Sequence, residues 1–345
     1  MRKKLFPILY AVGIAIFVIL IWDFGLDKII VNIRKTGWWF LPIIAVWGLV
    51  YLINALGWHI ILGEDRKKVA FWRIFGISLG GFAINYLTPF VNLGGEPYRV
   101  YALKDFTGIN KSVSSVTLYR MLHIISHLLF WLVVIPVTFF VIPVSLKFAV
   151  TLVILFLVIF LMLAFVFSRH KLGIYEAISK IIMRLKFLKF LNKKLEENKN
   201  NIVEIDSQIK DFYFNQKRIF YTVLGMEFFA RVLAAMEFFF VFRSIGIDIS
   251  VFQALYIHGA SSLFLNILFF MPMEFGTREG SLYVTLKAFI PDATVGIYIA
   301  LVNRIRELFW IGIGMLLIQF NNRSLKKENT LFMRKSGITN ESNNF

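Results

Sequence analysis

The chain has no cysteine and few charged residues for its length. Its 345 residues include 0 cysteines, and Asp, Glu, Lys and Arg together make up 17%. The absence of cysteine excludes a disulfide framework, a thiol nucleophile and cysteine-ligated zinc or iron–sulfur sites. The sequence also lacks a phosphate-binding GxxxxGK[ST] loop, an HExxH helix and a GxSxG elbow. We therefore expect no metal, no cofactor and no nucleotide hydrolysis.

Acidic residues are scarce relative to basic ones. There are 21 Asp and Glu against 38 Lys and Arg, which gives a formal net charge of +17. The basic residues lie between and beyond apolar stretches, and they do not form a patch with interleaved aromatic residues on a polar domain. Nucleic acid is therefore not expected as a partner, and anionic lipid headgroups fit the charge better.

Apolar residues are in large excess. The chain is 58% hydrophobic with a mean hydropathy of +0.70, which is typical of an integral membrane protein. A bilayer core about 30 Å thick needs about 20 apolar residues per helix. The first qualifying stretch is long for a signal peptide and lacks a small-x-small cleavage site, so we expect it to remain as a span. Six stretches qualify: 5–22, 38–62, 113–135, 146–167, 219–242 and 297–318.

Two further apolar stretches, 70–91 and 251–271, each run into a proline, a glycine and a charged residue. A short, half-apolar segment follows each one, and this pattern predicts a re-entrant hairpin. Segment 168–218 contains twelve Lys and Arg against six acidic residues, so it is expected to be cytoplasmic. A full crossing at 70–91 would place that segment outside, whereas a hairpin keeps the basic segments and both termini in the cytoplasm.

The two hairpins form an internal repeat. TPFVNLGGEPYRVYALKDF and MPMEFGTREGSLYVTLKAF share a proline, a glycine, a glutamate and a lysine eight residues after the glutamate. Glu96 precedes Arg120 by 24 residues, and Glu279 precedes Arg304 by 25. The loop charges give the copies opposite orientations, as in carriers whose site lies between inverted repeats. The predicted fold is an all-α integral membrane protein with about six full spans and two re-entrant hairpins.

The two helix breaks hold the candidate substrate-binding residues. Glycines permit a tight turn, and free backbone N–H groups together with arginine bind a phosphate or carboxylate. A charge at the bilayer centre costs about 2.5–3.5 kcal/mol, so several charges there imply a cavity lined by protein or water. The alternative is that acid and base neutralise each other in a packed break. The candidates are Asn92, Gly94, Gly95, Glu96, Arg99 and Arg120 in the first copy, and Glu274, Gly276, Arg278, Glu279, Asn303 and Arg304 in the second.

Other charged residues lie within predicted spans. Glu227 and Arg231 are four residues apart and share a helix face, which favours structural pairing. His123 and His127 lack a third ligand nearby, so a zinc site is not expected. In the last span, Asn303, Arg304 and Glu307 lie on one side of the helix and Arg306 lies on another. We expect Arg306 to snorkel towards the membrane surface. A role in proton or ion exchange, or in structural pairing, is assigned to Glu227, Arg231, His123 and Glu307.

The segment LGGEPYRVYALKDFTGINKSVSSVTLYRMLHIISHLL, with PMEFGTREGSLYVTLKAF and the arginine-bearing span after it, resembles the lysylphosphatidylglycerol synthase transmembrane, or flippase-like, family. The resemblance covers nearly the whole chain. It implies a transporter of a phospholipid or lipid-linked intermediate, with the headgroup in a polar cavity between the hairpins and the acyl chains in lipid. Under this hypothesis Arg99, Arg120, Arg278 and Arg304 bind phosphate, while Glu96 and Glu279 orient them or exchange protons.

The domain organisation follows from this resemblance. We expect a flippase-like transmembrane domain over 1–322, with repeats at about 70–135 and 251–318, and a disordered cytoplasmic tail at 323–345. Segment 169–216 is predicted to be a cytoplasmic amphipathic helix on anionic lipid, or a solvated connector. About 25 polar residues follow the last span, so synthase activity is not expected, and a more glycine-rich stretch would be usual near Glu274.

Two other functions stay open at this stage. One is a membrane enzyme or enzyme subunit that modifies a lipid or glycolipid, although no donor site is recognisable in the sequence. The other is a membrane scaffold in which the charged breaks only pack. We expect a transporter and not an enzyme, located in the cytoplasmic membrane, with membrane lipids as partners and a homo-oligomer by analogy.

Overall fold

The computed structural model describes residues 26–88, 94–169, 199–268, 274, 276–290, 292 and 295–335. Within these ranges every regular element is helical, with short 3₁₀ segments at Gly37–Trp39 and Gly63–Lys68. The α-helices are α1 Leu26–Thr36, α2 Phe40–Ile61, α3 Phe71–Leu87, α4 Gly95–Thr107, α5 Ile109–Val141, α6 Leu146–Arg169, α7 Lys199–Asn215, α8 Lys217–Ser244, α9 Val251–Ile267, α10 Thr277–Leu286 and α11 Val295–Lys335.

Several helices are long and apolar enough to cross a membrane. Four regions meet this requirement: Ile30–Ile61, Ile109–Val141, Leu146–Phe165 and Lys217–Ser244. They coincide with four of the six predicted spans. The fifth, 297–318, lies inside α11, where Arg304, Arg306 and Glu307 interrupt the apolar run. The sixth, 5–22, lies outside the described residues.

Both predicted breaks coincide with helix ends. Helix α3 ends at Leu87 and α4 begins at Gly95, while α9 ends at Ile267 and α10 begins at Thr277. Helices α3 and α9 each contain 17 residues, so each is about 25 Å long. In each copy the helix before the break packs against the helix after it.

Helices of the first predicted repeat pack against helices of the second. Helix α3 lies against α11, the arginine-bearing helix of the second copy, and α9 lies against α5, its counterpart in the first. A glycine occupies each crossing: a Cβ at Gly314 would lie 2.7 Å from the Leu79 carbonyl oxygen, and one at Gly259 would lie 2.5 Å from Val134 Cγ1. Glycine therefore lets both helix pairs approach closely.

The segments at the predicted cytoplasmic side are helical where they are described. Helix α7, the described end of the amphipathic segment 169–216, packs against the start of α5, where Asn110 Nδ2 donates to Glu204 Oε2 at 2.6 Å. Its Phe212 is buried in the main apolar core with Phe220 of α8. Helix α11 continues to Lys335, into the segment that we expected to be disordered. Leu, Lys and Glu in that segment have good helix propensity.

Candidate functional site

The first break, between α3 and α4, is held together by an asparagine that sequence reasoning missed. The backbone N–H of Gly95 donates to Asn85 Oδ1 at 2.6 Å, and Asn85 Nδ2 donates to Glu96 Oε1 at 3.3 Å. A Cβ at Gly95 would lie 2.2 Å from the Gly81 carbonyl oxygen, so only glycine fits there. The available signal was a polar side chain in the last turn of an apolar helix, just before the break.

The charges of the first break are loosely paired. Glu96 Oε1 lies 3.5 Å from Arg99 Nη1 and 3.8 Å from Arg120 Nη1. Arg99 is buried and its Nη2 donates to the Ser78 carbonyl at 3.2 Å, whereas the Arg120 side chain is 44% exposed. Glu96 Oε2 and Arg99 Nε are buried without a hydrogen-bond partner among the described residues. Buried polar atoms normally have partners, so these two atoms are candidate contacts for a ligand.

A groove of about 870 Å³ runs beside this pair, between α4 and α5. Ile109 lies near one end of α5 and Leu128 lies nineteen residues further on, which corresponds to about 28 Å of helix. Arg120 lies between them, so the charged pair is near the middle of the groove. Apart from Glu96 and Arg120, the described lining has one other charged residue, Lys104, and is otherwise mostly apolar.

Two residues just before α10, at the end of the second break, have a positive φ. Glu274 has φ 56° and Gly276 has φ 73°, and the strained glutamate is stabilised by its partners. Arg278 binds the Glu274 carboxylate through Nε at 3.1 Å and Nη2, and its Nη1 lies 2.8 Å from Glu307 Oε1. These contacts tie the break to α11.

Glu279 completes the second break. Its Oε2 accepts from the Gly276 backbone N–H at 3.0 Å, and its Oε1 accepts from Arg304 Nε at 3.0 Å and Nη2 at 2.8 Å. The glutamate that follows each break thus pairs with the arginine of the next long helix, in line with the repeated spacing. The pair with Arg304, whose side chain is 4% exposed, is short, whereas the pair of Glu96 with the 44% exposed Arg120 is long and open to the groove.

The expectation that Arg306 snorkels is wrong. Arg306 is 3% exposed, and its Nε and Nη2 each donate at 3.0 Å to the two carboxylate oxygens of Glu237 on α8. Trp47 Nε1 donates to Glu237 Oε2 at 2.7 Å, and the guanidinium lies 3.8 Å from the Trp47 ring centroid. A buried carboxylate on α8 requires a buried base, which explains the inward position. The Asn303 amide, with its nitrogen towards Glu237, donates at 3.0 Å, so Asn303 belongs to this cluster.

The remaining predicted residues meet between α5 and α8. His123 Nδ1 lies 2.7 Å from Glu227 Oε2. Arg231 donates from Nε to Ser126 Oγ at 2.8 Å and from Nη2 to the His123 carbonyl at 2.9 Å. Glu227 and Arg231 therefore share a helix face as predicted, and both bind α5. Among the described residues no group of three His, Asp or Glu could hold a metal ion.

Two candidates of the first break remain. Asn92 lies outside the described residues, and Gly94 forms the N-cap of α4.

Comparison with known proteins adds the family. The profile described as the lysylphosphatidylglycerol synthase TM region matches residues 8–314. The chain belongs to this family. It is 28% identical over 297 residues to a UPF0104 membrane protein of Methanocaldococcus jannaschii, covering 81% of this chain and 84% of that protein. It is 24% identical over 344 residues to a UPF0104 membrane protein of Pyrococcus horikoshii, covering 94% and 99%. No solved structure matches. The chain is thus a multi-pass helical membrane protein of the lysylphosphatidylglycerol synthase TM family.

Proposed function

We propose that this protein is a lipid transporter, and not an enzyme, that moves a phospholipid or lipid-linked intermediate across the cytoplasmic membrane. The groove between α4 and α5 is the observation that carries the proposal. Its walls are apolar over about 28 Å, nearly the thickness of a bilayer core, and its charged pair lies near the middle. A lipid has the matching character, since its charged headgroup can bind the pair while its acyl chains contact the apolar walls.

The side chains of the first break can bind such a headgroup. Arg120 is half-exposed in the groove and Lys104 is a second cation along α4, so both can contact a phosphate. Glu96 Oε2 has no hydrogen-bond partner in the part of the chain that the structure describes, and it can accept from an ammonium or hydroxyl group of the headgroup. Arg99, bonded to the Ser78 carbonyl, holds Glu96 from the protein side.

We further propose that both breaks belong to re-entrant hairpins in an inverted repeat, with both termini cytoplasmic. Helices α4 and α10 contain 13 and 10 residues, so they are about 20 Å and 15 Å long and too short to cross a core of about 30 Å. A return to the side of entry fits these lengths. The exchanged packing of α3 with α11 and of α9 with α5 supports the inversion. The first groove would open to the cytoplasm.

The two breaks differ in a way that suits a transport cycle. In the second break Arg278 and Arg304 are 8% and 4% exposed and bind three carboxylates at close range. In the first break the equivalent glutamate is loosely held beside an open groove. We infer that the first copy is in a substrate-accepting state and the second in a closed state, and that the two exchange during alternating access.

A matched pair of arginine variants tests the proposal. Arg120 in the groove and Arg243 near the end of α8 have side chains 44% and 42% exposed, and each pairs with one carboxylate. We expect Arg120→Gln to lower lipid translocation in proteoliposomes at least tenfold and Arg243→Gln to leave it within twofold. The readout is protection of an acyl-labelled lipid from dithionite, with a panel of headgroups.

The same pair distinguishes transport from a purely structural role. A scaffold in which the charged breaks only pack predicts equal effects of both variants on lipid movement, because both arginines are similarly exposed. If Arg120→Gln moves every headgroup at the wild-type rate while remaining folded, the groove is not the path. An enzymatic role would instead appear as a change in the mass of the labelled lipid after incubation with the purified protein.

A further inference from the structure

A buried carboxylate on α8 lacks the compensation that its neighbour has. Glu227 is 1% exposed, its Oε2 lies 2.7 Å from His123 Nδ1, and its Oε1 has no hydrogen-bond partner among the described residues. Helix α2 presents a glycine there, since a Cβ at Gly57 would lie 3.8 Å from Glu227 Oε1. The pair of Glu227 and His123, which we call the dyad, thus contains an unsatisfied buried acceptor.

Glu237 on the same helix shows what full compensation looks like. It is also 1% exposed, but Arg306 binds both of its oxygens and Trp47 adds a third bond. The two glutamates are ten residues, or about 15 Å, apart along α8. Glu237 has a permanent counter-charge, whereas the partner that bonds Glu227 directly is a histidine, which is charged only when it holds a second proton. The dyad can therefore change its charge.

We propose that the dyad binds the proton that drives lipid transport, together with an anionic headgroup in the groove. This rests on the proposed function and supplies its driving ion. The hydrogen bond between His123 Nδ1 and Glu227 Oε2 holds one proton in either charge state. The transported proton is an additional one: it enters from one side of the membrane, changes the net charge of the dyad from −1 to 0, and leaves to the other side. The transport cycle moves no net charge across the membrane, because one anionic headgroup crosses with each proton.

The surroundings of the dyad suit a reversible proton site. Arg231 on α8 donates to Ser126 Oγ and to the His123 carbonyl. Its positive charge stabilises the deprotonated Glu227 carboxylate, and its hydrogen bonds do not compete with the one between His123 Nδ1 and Glu227. Helix α2 contributes the uncharged Gly57. The titratable and charged groups that face the dyad are Tyr119, Arg120 and His127 of α5, Arg231 of α8 and Arg99 of α4, with His258 of α9 behind His127.

A continuous series of contacts connects the dyad to the groove. Glu96 Oε1 lies 3.5 Å from Arg99 Nη1, the Arg99 guanidinium lies 5.6 Å from the Tyr119 ring centroid, and the Tyr119 and His123 rings are 5.9 Å apart. Arg99 therefore lies between the groove carboxylate and the dyad. Protonation of the dyad removes a negative charge near Arg99, so the potential in the groove becomes more favourable for an anion. Proton binding and headgroup binding then strengthen each other, as thermodynamic linkage requires.

The test uses the full chain in phosphatidylcholine vesicles with a trace of acyl-labelled phosphatidylglycerol or phosphatidylethanolamine and a pH dye inside. A gradient of one pH unit is expected to distribute phosphatidylglycerol roughly tenfold between the leaflets, for one proton per lipid. Zwitterionic phosphatidylethanolamine is expected to show no such asymmetry. Dye acidification should accompany phosphatidylglycerol movement.

Variants separate proton binding from structure. Glu227→Gln preserves shape and mimics the protonated acid, so it should still move phosphatidylglycerol without a gradient but lose both the tenfold asymmetry and the dye signal. His123→Gln should do the same, and Glu227→Asp should restore part of the asymmetry. Glu64→Gln, in the exposed 3₁₀ segment Gly63–Lys68, is the control that should behave as wild type.

Three results would overturn the proton proposal, and they differ in what they imply for transport. Wild-type protein that moves phosphatidylglycerol without responding to the gradient overturns the proton proposal and leaves the transport proposal standing. Retention of the gradient response in folded Glu227→Gln and His123→Gln protein also overturns it. Wild-type protein that moves neither lipid overturns the proton proposal for phosphatidylglycerol, whereas the transport proposal fails only if no headgroup of the wider panel moves.

Discussion

Replacing Glu237 by glutamine should destabilise the protein far more than the same change at Glu96. At Glu237, Oε1 accepts from Arg306 Nε and Asn303, while Oε2 accepts from Arg306 Nη2 and Trp47 Nε1. In Glu237→Gln the new NH₂ group must face two donors in either orientation, and Arg306, 3% exposed, loses its nearer carboxylate and keeps Glu307 Oε1 at 3.6 Å from Nη1.

The magnitude follows from burial. Removing one partner of an isolated buried ion pair costs about 3–5 kcal/mol. Glu307, 3.6 Å from Arg306 Nη1, compensates part of the charge, so we expect the lower end of that range. At Glu96 the NH₂ of glutamine can occupy the place of Oε2, which has no partner among the described residues. Its pair with Arg120 is 3.8 Å long and 44% exposed on the arginine side, and exposed pairs contribute little. The amide oxygen of glutamine can keep the 3.5 Å contact with Arg99 Nη1, and Arg99 keeps its bond to the Ser78 carbonyl, so we expect a smaller cost than at Glu237.

The assay is thermal or denaturant unfolding in lipid nanodiscs, followed by intrinsic tryptophan fluorescence. Trp47 contacts Glu237 directly, so its emission reports on this cluster. We expect a clearly lower unfolding midpoint for Glu237→Gln and a midpoint close to wild type for Glu96→Gln. Equal midpoints for the two variants would refute the assignment of Glu237 to a compensated structural pair and of Glu96 to a loosely held site.

Two further changes test the first break and its groove. Gly95→Ala should lower stability by about 1–3 kcal/mol, since the new Cβ would lie 2.2 Å from the Gly81 carbonyl oxygen, whereas Gly225→Ala, with open space around it, should be neutral or stabilising in the same unfolding assay. Thr117→Trp, which projects a large ring into the groove, should slow lipid translocation severalfold with little change in the unfolding midpoint; an unchanged rate would place the lipid path elsewhere.

Much of the fold follows from local sequence properties. Apolar run length predicts the spans that α2, α5, α6 and α8 form, because a helix is the simplest way to satisfy backbone groups in lipid. The glycine and charge at each break predict where α3 and α9 end. The repeated spacing from glutamate to arginine anticipates two ion pairs, since an internal repeat preserves contacts as well as helices.

Other features depend on contacts between distant segments. The pairing of Arg306 with Glu237 joins residues that are 69 positions apart, and no local pattern in α11 distinguishes a buried arginine from one that snorkels. Asn85 acts at the break because α3 and α4 pack together, which places its amide against the Gly95 N–H. The groove is lined by residues of both α4 and α5, and hydropathy alone does not reveal such a shape.

Lipid translocation by the purified protein tests the central claim most directly. Wild-type protein in liposomes, examined with acyl-labelled lipids of different headgroups and dithionite, should equilibrate at least one headgroup between leaflets much faster than protein-free liposomes. Glu96→Gln, which we expect to fold normally, should lose most of that rate. Folded wild-type protein that moves no headgroup faster than the empty liposomes would contradict the account.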